Sequence, residues 1–289
     1  MGMSWAMRRR ILYATGVILF FLIVIGGPAA YYYFKIPPTC LDNQQNQNET
    51  APDMGGVCPW ANVYQLAPSS VQWTRAFKVR DGSYSAVAYI ENPNDNAGYV
   101  LRPYKFSLYD SQNILIAERT GITFVMPGGI TPVYEADIDT GNRIATHAYF
   151  EFTDAPQWLQ LTDQSNTTKV TNRQLSGEST APRIDATVTN TDVSARTDVT
   201  LVAVVFDTAG NAFAASATHI DRLEVGQSQQ IVFTWPNPFT LQVGRIDIIP
   251  VEAPKPAWKA ACHIVTTGAQ PGAIIQCGSN APVLRSWTQ

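Results

Sequence analysis

KFSLYDSQNILIAERT, Lys105 to Thr120, decides the fold, because it returns about 97 residues later as VAVVFDTAGNAFAASAT, Val202 to Thr218. Upstream, SYSAVAYIENPN (Ser83 to Asn94) aligns with PRIDATVTNTD (Pro182 to Asp192), which sets Asn92 on Asn190. Tyr109-Asp110 falls on Phe206-Asp207, Gly129 on Gly226, and Tyr134 to Ile138 on Ile231 to Trp235. Side-chain parity survives the offset. Ala86, Ala88 and Ile90 correspond to Ile184, Ala186 and Val188, and Phe106 and Leu108 to Ala203 and Val205. Period-two alternation buries one face of a strand, so the same face is buried in both copies. The turns correspond as well: Asp110-Ser-Gln-Asn113 and Asp207-Thr-Ala-Gly210 each end on a residue that tolerates positive φ. About six or seven short strands per copy, spaced at roughly ten residues, is the pattern of an immunoglobulin-like sandwich. The fold class expected is all-β, two tandem sandwiches, and two such units in line make a stalk.

Composition agrees. The 289 residues are 45% hydrophobic and only 15% charged, with 19 Gly and 19 Pro, which suits strands and turns better than helices. Charge is unevenly placed. Arg8, Arg9 and Arg10 stand at the start, and beyond them 17 basic residues face 23 acidic ones, a net −6. An acidic body of this kind excludes nucleic acid as a partner.

Ile11 to Phe34, ILYATGVILFFLIVIGGPAAYYYF, carries no charge. About 20 apolar helical residues cross a bilayer core, so the run is long enough to span. Three arginines before it and a single Lys35 after it put the N-terminus in the cytoplasm by the positive-inside rule, with Tyr31, Tyr32 and Tyr33 at the interface. A cleaved signal peptide fits less well, since the apolar run is long and Pro28-Ala29-Ala30 is a poor cleavage site. The bilayer is therefore the expected partner of residues 11–34. The expected location is a single-pass cell-membrane protein whose C-terminal domains are extracellular or periplasmic.

Cys40, Cys58, Cys262 and Cys277 all follow this segment. An even count on an oxidising side reads as disulfides, most simply Cys40 with Cys58 and Cys262 with Cys277. Metal ligation is the rival reading, but no C-x-x-C is present and His263 is the one histidine nearby. The stretch from Cys40 through Asp42, Asn46, Glu49, Asp53, Gly55 and Gly56 to Cys58 resembles a short juxtamembrane module, C-x-D-G-x-x-N-x-x-E-x-G-x-D-C-G-G-x-C-x-x-C, of predicted surface proteins from candidate-phyla bacteria. Met54 and Ala61 stand where that module has two more cysteines. Their joint absence implies that the two normally bond each other, which favours a Cys40–Cys58 bridge here. Asp42, Asn46, Asn48, Glu49 and Asp53 offer oxygen ligands that Ca²⁺ prefers. The competing reading is a solvated, turn-rich linker.

Phe106-Ser-Leu-Tyr-Asp110, followed by an aliphatic strand, resembles the FxLYD-type immunoglobulin-like domains of prokaryotic exported proteins. The resemblance implies a sandwich fold and an exported location. It implies no catalytic site.

Chemistry is sparse. His147, His219 and His263 are scattered, without metal-binding spacing. No G-x-S-x-G elbow occurs, and Pro127-Gly128-Gly129 reads as a turn between strands. Asp137 is expected to point away from a buried Tyr134, Ala136 and Ile138 face, and Asp139 to open the Asp-Thr-Gly-Asn turn. No catalytic residue or cofactor is assigned apart from the calcium reading. The organisation expected is a basic tail (1–10), a membrane helix (11–34), a disulfide loop (35–65), one sandwich (66–160), a linker (161–168), a second sandwich (169–252) and a disulfide-bearing tail (253–289). The function expected is a non-enzymatic envelope protein acting through protein contacts or adhesion. A subunit of a secretion, pilus or transport complex is the alternative, and an envelope hydrolase a more distant one.

Overall fold

In the computed structural model the described residues are 5–34, 40, 43–46, 48–162, 167–257, 262–265 and 274–277. Among the described residues one apolar helix comes first, and the regular structure after it is β-strand apart from a single 3-10 turn at Val63–Gln65. The helix runs from Trp5 to Phe34 and includes a π-helical turn at Leu22–Gly26. That wider turn lies just ahead of Pro28, whose ring has no N–H to donate and crowds the carbonyl of Val24 four residues earlier. Within the span Trp5–Tyr31 the most apolar 18-residue window has a mean hydropathy of 2.2, and none of it is covered by protein.

The first sandwich consists of β1 (Ser70–Arg80), β2 (Ser83–Asn92), β3 (Ala97–Tyr109), β4 (Leu115–Val125), β5 (Gly129–Asp139) and β6 (His147–Phe152). Its sheets are ordered β1-β2-β5 and β4-β3-β6. A short β7 (Leu159–Thr162) follows. The second sandwich consists of β8 (Thr168–Ser176), β9 (Arg183–Asn190), β10 (Arg196–Asp207), β11 (Ala212–Leu223), β12 (Ser228–Thr234) and β13 (Val243–Val251), in sheets β8-β9-β12 and β11-β10-β13. Strand for strand the two topologies are the same, and every pairing is antiparallel. Among the described residues three short strands follow: β14 (Lys255–Pro256), and β15 (Cys262–Val265) with β16 (Ile274–Cys277). The backbone register sets Cys262 opposite Cys277; their side chains lie outside the described part, so that predicted bridge does too.

Each copy has its own core. Ala86, Ala88, Ile90, Phe106 and Leu108 are buried in the first, and Ile184, Ala186, Val188, Ala203 and Val205 in the second. Two equivalent asparagines hold the turns at one end of each sandwich. Asn92 is fully buried and its amide donates to the carbonyls of Ala97 (2.7 Å) and Met126 (2.8 Å). Asn190, also fully buried, donates to those of Ser194 (2.9 Å) and Leu223 (3.0 Å). Each ties the β2–β3 type of turn to the β4–β5 type. At the opposite end, Asp110 accepts from the amides of Gln112 and Ile114, and Asp207 from those of Ala209 and Asn211. Asn113 and Gly210 supply the left-handed backbone in these hairpins, with φ of 59° and 81°.

The expected Tyr134, Ala136 and Ile138 face is not continuous. A register shift between β2 and β5 falls at this point, and Asp137 adopts φ 50°. The bulge exchanges the faces: Val133 and Ile138 enter the first core, Tyr134 turns to the opposite face and packs on a separate apolar cluster, and Ala136 is exposed.

Nor are the sandwiches stacked end to end as a stalk. A third apolar cluster joins Phe77, Val87 and Tyr89 of the first copy to Val202, Val204, Phe206, Ala212 and Ala215 of the second. The sheet β1-β2-β5 thus lies face to face on β11-β10-β13, and the chain forms four layers. Trp73, Tyr89 and Phe206 make a ring cluster across the contact, with centroids 4.3 to 6.2 Å apart. Arg75 adds charge-assisted bonds to the carbonyl of Ala212 (2.7 Å) and to Asn211 (3.0 Å), and Asn237 donates to the carbonyl of Val79 (2.7 Å). Burial, and then the nearby Asp247 carboxylate, push the Tyr89 phenol well above its ordinary pKa.

Equivalent positions differ between the contact faces and the outward faces of the two copies. Where the second copy presents Val202, Val204 and Phe206, the first has Lys105, Ser107 and Tyr109. Lys105 there pairs with Glu151 (2.8 Å) and Glu118 (3.4 Å). Where the first copy presents Val87 and Tyr89, the second has Asp185 and Thr187, with Asp185 paired to Arg183. The outward faces are polar, as in the end-caps of a repeat array.

Val204→Asp places an unpaired charge in this contact, and we expect a loss of at least about 3 kcal/mol. Because each copy keeps its own core, thermal unfolding should split from one transition into two in scanning calorimetry.

A collar at one end of the double sandwich

The disulfide predicted between Cys40 and Cys58 is formed, with its Cα atoms 5.5 Å apart and a sequence separation of 18. It closes a tight loop. Gly55 and Gly56 have φ of 76° and 57°, and a Cβ on either would lie 2.2 Å from Thr50 Oγ1 or 2.3 Å from the Asn48 carbonyl. Only glycine fits both positions.

The five predicted calcium ligands are not disposed alike. Asp42 lies outside the described residues. Asn48 is exposed, in a left-handed conformation with φ 72°. Glu49 is buried, and its Oε2 accepts from the backbone amides of Asn46 (3.1 Å) and Asp53 (3.2 Å). Its Oε1 lies 2.9 Å from Cys58 Sγ. Asp53 accepts from the amide of Asn43 (2.9 Å). Glu49 and Asp53 thereby organise the loop backbone, so a Ca²⁺ ion would compete with amide hydrogens for them. Cys40, Glu49 and Cys58 do converge, but both sulfur atoms are spent in the disulfide and supply no thiolate to a soft metal.

The loop is built into the sandwich end. The Gln160 amide donates to the Pro59 carbonyl (2.8 Å), Ala61 to that of Trp158 (3.0 Å), and Leu161 of β7 to that of Asn96 (3.0 Å). The strand β7 also pairs with Ala97–Gly98 of β3 and with β14, which follows the second copy. From β14, Lys255 Nζ reaches Asp192 Oδ2 (2.7 Å) and Ser194 Oγ (2.8 Å) in the β9–β10 turn. Beneath lies a buried ionic cluster. Arg196 bridges Asp192 (3.1 Å) and Glu252 (3.0 Å), and Thr168 donates to Glu252. Lys255 first, then Ser194 and the Val193 amide, hold the Asp192 carboxyl well below its usual range. A continuous polar collar therefore joins the disulfide loop of the first copy to the turns of the second. Arg196, Glu252 and Lys255 were not singled out from the sequence; a charged residue opening the apolar strand Val199–Phe206 was the available signal.

Above the collar a cavity of about 290 Å³ opens between the copies, lined by Met126, Gly129, Ile130, Ile249, Pro250 and Glu252. Pro127-Gly128-Gly129 forms the turn expected of it, with positive φ at both glycines. Asp139 caps its own turn by accepting from the Gly141 amide (2.8 Å), and Asp137 sits in the bulge, so the two carboxylates are not paired. His219 lies on the outer face, 3.3 Å from Asp221 and 3.7 Å from Asp198.

No family model and no curated protein matches the chain. Among solved structures it is similar to a red sea bream transglutaminase, at 8% identity and TM-score 0.21, over 64% of this chain and 29% of that one. It is also similar to a Bacteroides uniformis beta-glucuronidase, at 12% identity and TM-score 0.18, over 60% and 22%. A third is the N-terminal CBM22-1-CBM22-2 tandem domain of Paenibacillus barcinonensis Xyn10C, at 10% identity and TM-score 0.15, over 66% and 84%. The chain thus spans less than a third of the first two proteins, and no residue role is carried over from any of the three.

Two measurements probe the collar. Arg196→Met leaves the Asp192 and Glu252 carboxylates without their buried partner, and should cost about 3–5 kcal/mol in denaturant unfolding. Depressed carboxyls also set a pH response. Asp110 and Asp207 are lowered chiefly by backbone amides, from Ile114 and Asn211, and Asp192 chiefly by Lys255. A lowered folded-state pKa stabilises above the unfolded value near 4 and is lost as pH falls through the folded one. The melting temperature should therefore hold from about pH 7 to 5 and drop below about pH 4, less steeply in the Asp110→Asn, Asp207→Asn double variant.

Proposed function

We propose that this chain is a non-enzymatic, single-pass membrane protein with its N-terminus in the cytoplasm, presenting a rigid double sandwich on the outer side for contact with other proteins. One observation carries the anchor: the helix Trp5–Tyr31 is long and apolar, and its window has no protein cover. An isolated apolar helix of this length is stable where lipid replaces water. Arg8, Arg9 and Arg10 mark the cytoplasmic end by charge. The Cys40–Cys58 bridge supports an oxidising compartment for the other end.

The resemblances to exported FxLYD-type domains and to the candidate-phyla juxtamembrane module support the same reading. So does the use made of the carboxylates: Glu49 and Asp53 in the disulfide loop bind backbone amides, and Asp192 and Glu252 neutralise Arg196. The broad sheets end in strands paired on one side only, β4 and β12 among them, where an extended segment of a partner can add as a further strand.

The test is topology in intact cells. An epitope tag at the N-terminus should stay hidden until the membrane is permeabilised, and one at Gln289 should be accessible at once on the outer side. Carbonate washing should leave the protein in the membrane pellet. Release into the wash, or a shortened chain beginning beyond Ala30, would overturn the anchor.

A further inference from the structure

The collar fixes where the second sandwich stands relative to the anchor. Six peptide units separate Phe34 from Cys40, at most about 20 Å of chain. The end bearing the Cys40–Cys58 loop is thus held close to the point where the helix leaves the bilayer. Hydrogen bonds run from that loop through Pro59 and Gln160 to β7, from β7 to β14, and from Lys255 of β14 to Asp192 and Ser194. Val193 stands between those last two residues. Asn190 then joins this turn to the next, donating to the Leu223 carbonyl and accepting from the Gly226 amide (3.1 Å) through its own carbonyl, on either side of Val225.

Both turn tips are apolar and open. Val193 is 93% exposed and Val225 56%. The polar groups around them are already satisfied: Asp192 by Lys255 and Arg196, and Glu224 by Arg222. A valine at a turn tip has no reason of local structure, since turns favour Gly, Asn, Asp and Ser. Exposure alone does not choose between the ends of the molecule, because Ile144 and Leu241 are exposed in turns at the other one. The tether does choose. It brings the Val193 and Val225 end to the bilayer and keeps the Ile144 and Leu241 end away.

We infer that the second sandwich makes its own contact with the membrane, its Val193 and Val225 tips entering the interfacial layer of the bilayer in which the chain's own helix is anchored. The double sandwich then rests on the surface at two points, the helix exit under the first copy and these tips under the second. It does not swing on the short tether. The contact is apolar and not cationic, so it calls for no anionic lipid. This inference rests on the membrane-anchored reading of the helix.

The test uses the full chain in phosphatidylcholine nanodiscs, with an environment-sensitive fluorophore on a cysteine introduced singly at Val193, Val225, Ile144, Leu241 or Val17. The parent protein, treated alike, gives the blank. The expected result is blue-shifted emission at Val193 and Val225, with quenching by a headgroup-proximal spin-labelled lipid about twofold or more above that at Ile144 and Leu241. Quenching at one tip alone reports the same contact tilted and supports it. Equal quenching at all four sandwich positions, with strong quenching at Val17, overturns the contact and leaves the anchor standing. Absence of quenching at Val17 overturns both. Blue-shifted tips without lipid quenching would mean a protein covers them, and would also overturn the inference.

Discussion

Strand β10 has no solvent face over its central residues, and much of the molecule follows from that. Ala203 and Val205 point into the core of the second sandwich, while Val202, Val204 and Phe206 point into the contact with the first. Strand β2 is its counterpart, with Ala86, Ala88 and Ile90 on one side and Val87 and Tyr89 on the other. Fully burying a Val or Phe side chain is worth about 1.5–3 kcal/mol. A contact made of eight buried apolar residues therefore holds two sandwiches together more firmly than a polar linker would. It turns a pair of tandem domains into one four-layer body.

A rigid body changes what the short tether means. With a flexible linker, the second sandwich would be free of the bilayer, and its surface would sample every direction. With the copies stacked and collared by β7, β14 and the Arg196 cluster, position in one copy fixes position in the other. The buried ion pairs add little net stability over an apolar alternative, but they resist being separated. They lie within the second copy beside β14, whose pairing with β7 reaches the first, so they hold β14 in the place from which it makes that link.

The disulfide loop works on the same principle at smaller scale. Glu49 and Asp53 are not displayed to solvent as a ready ligand set. Glu49 is turned inward onto two amides, and Gly55 and Gly56 let the backbone approach within contact distance of Thr50 and Asn48. Acidic residues at these spacings look the same in a sequence whether they organise a turn or await a cation. What distinguishes them is which amide hydrogens lie within reach, and that depends on how the loop closes.

The sequence alone determined the repeat, the sandwich class, the apolar helix and the Cys40–Cys58 pairing, because each is a local pattern: parity within a strand, an aspartate opening a hairpin, an uncharged run, two cysteines on one short loop. The roles of Asn92 and Asn190 were half visible, since they aligned but their carbonyl partners lie across two turns. The stacking of the copies was written less plainly. Leu201 to Phe206 is unbroken apolar sequence where Lys105 to Asp110 alternates, and that difference is the mark of burial on both faces. Only the tertiary structure decided which surface covers the second face, that a bulge at Asp137 reverses the parity of β5, and that Arg196, Glu252 and Lys255 meet. These are contacts between residues far apart in the chain, fixed by how sheets pack against each other and not by the periodicity within any one strand.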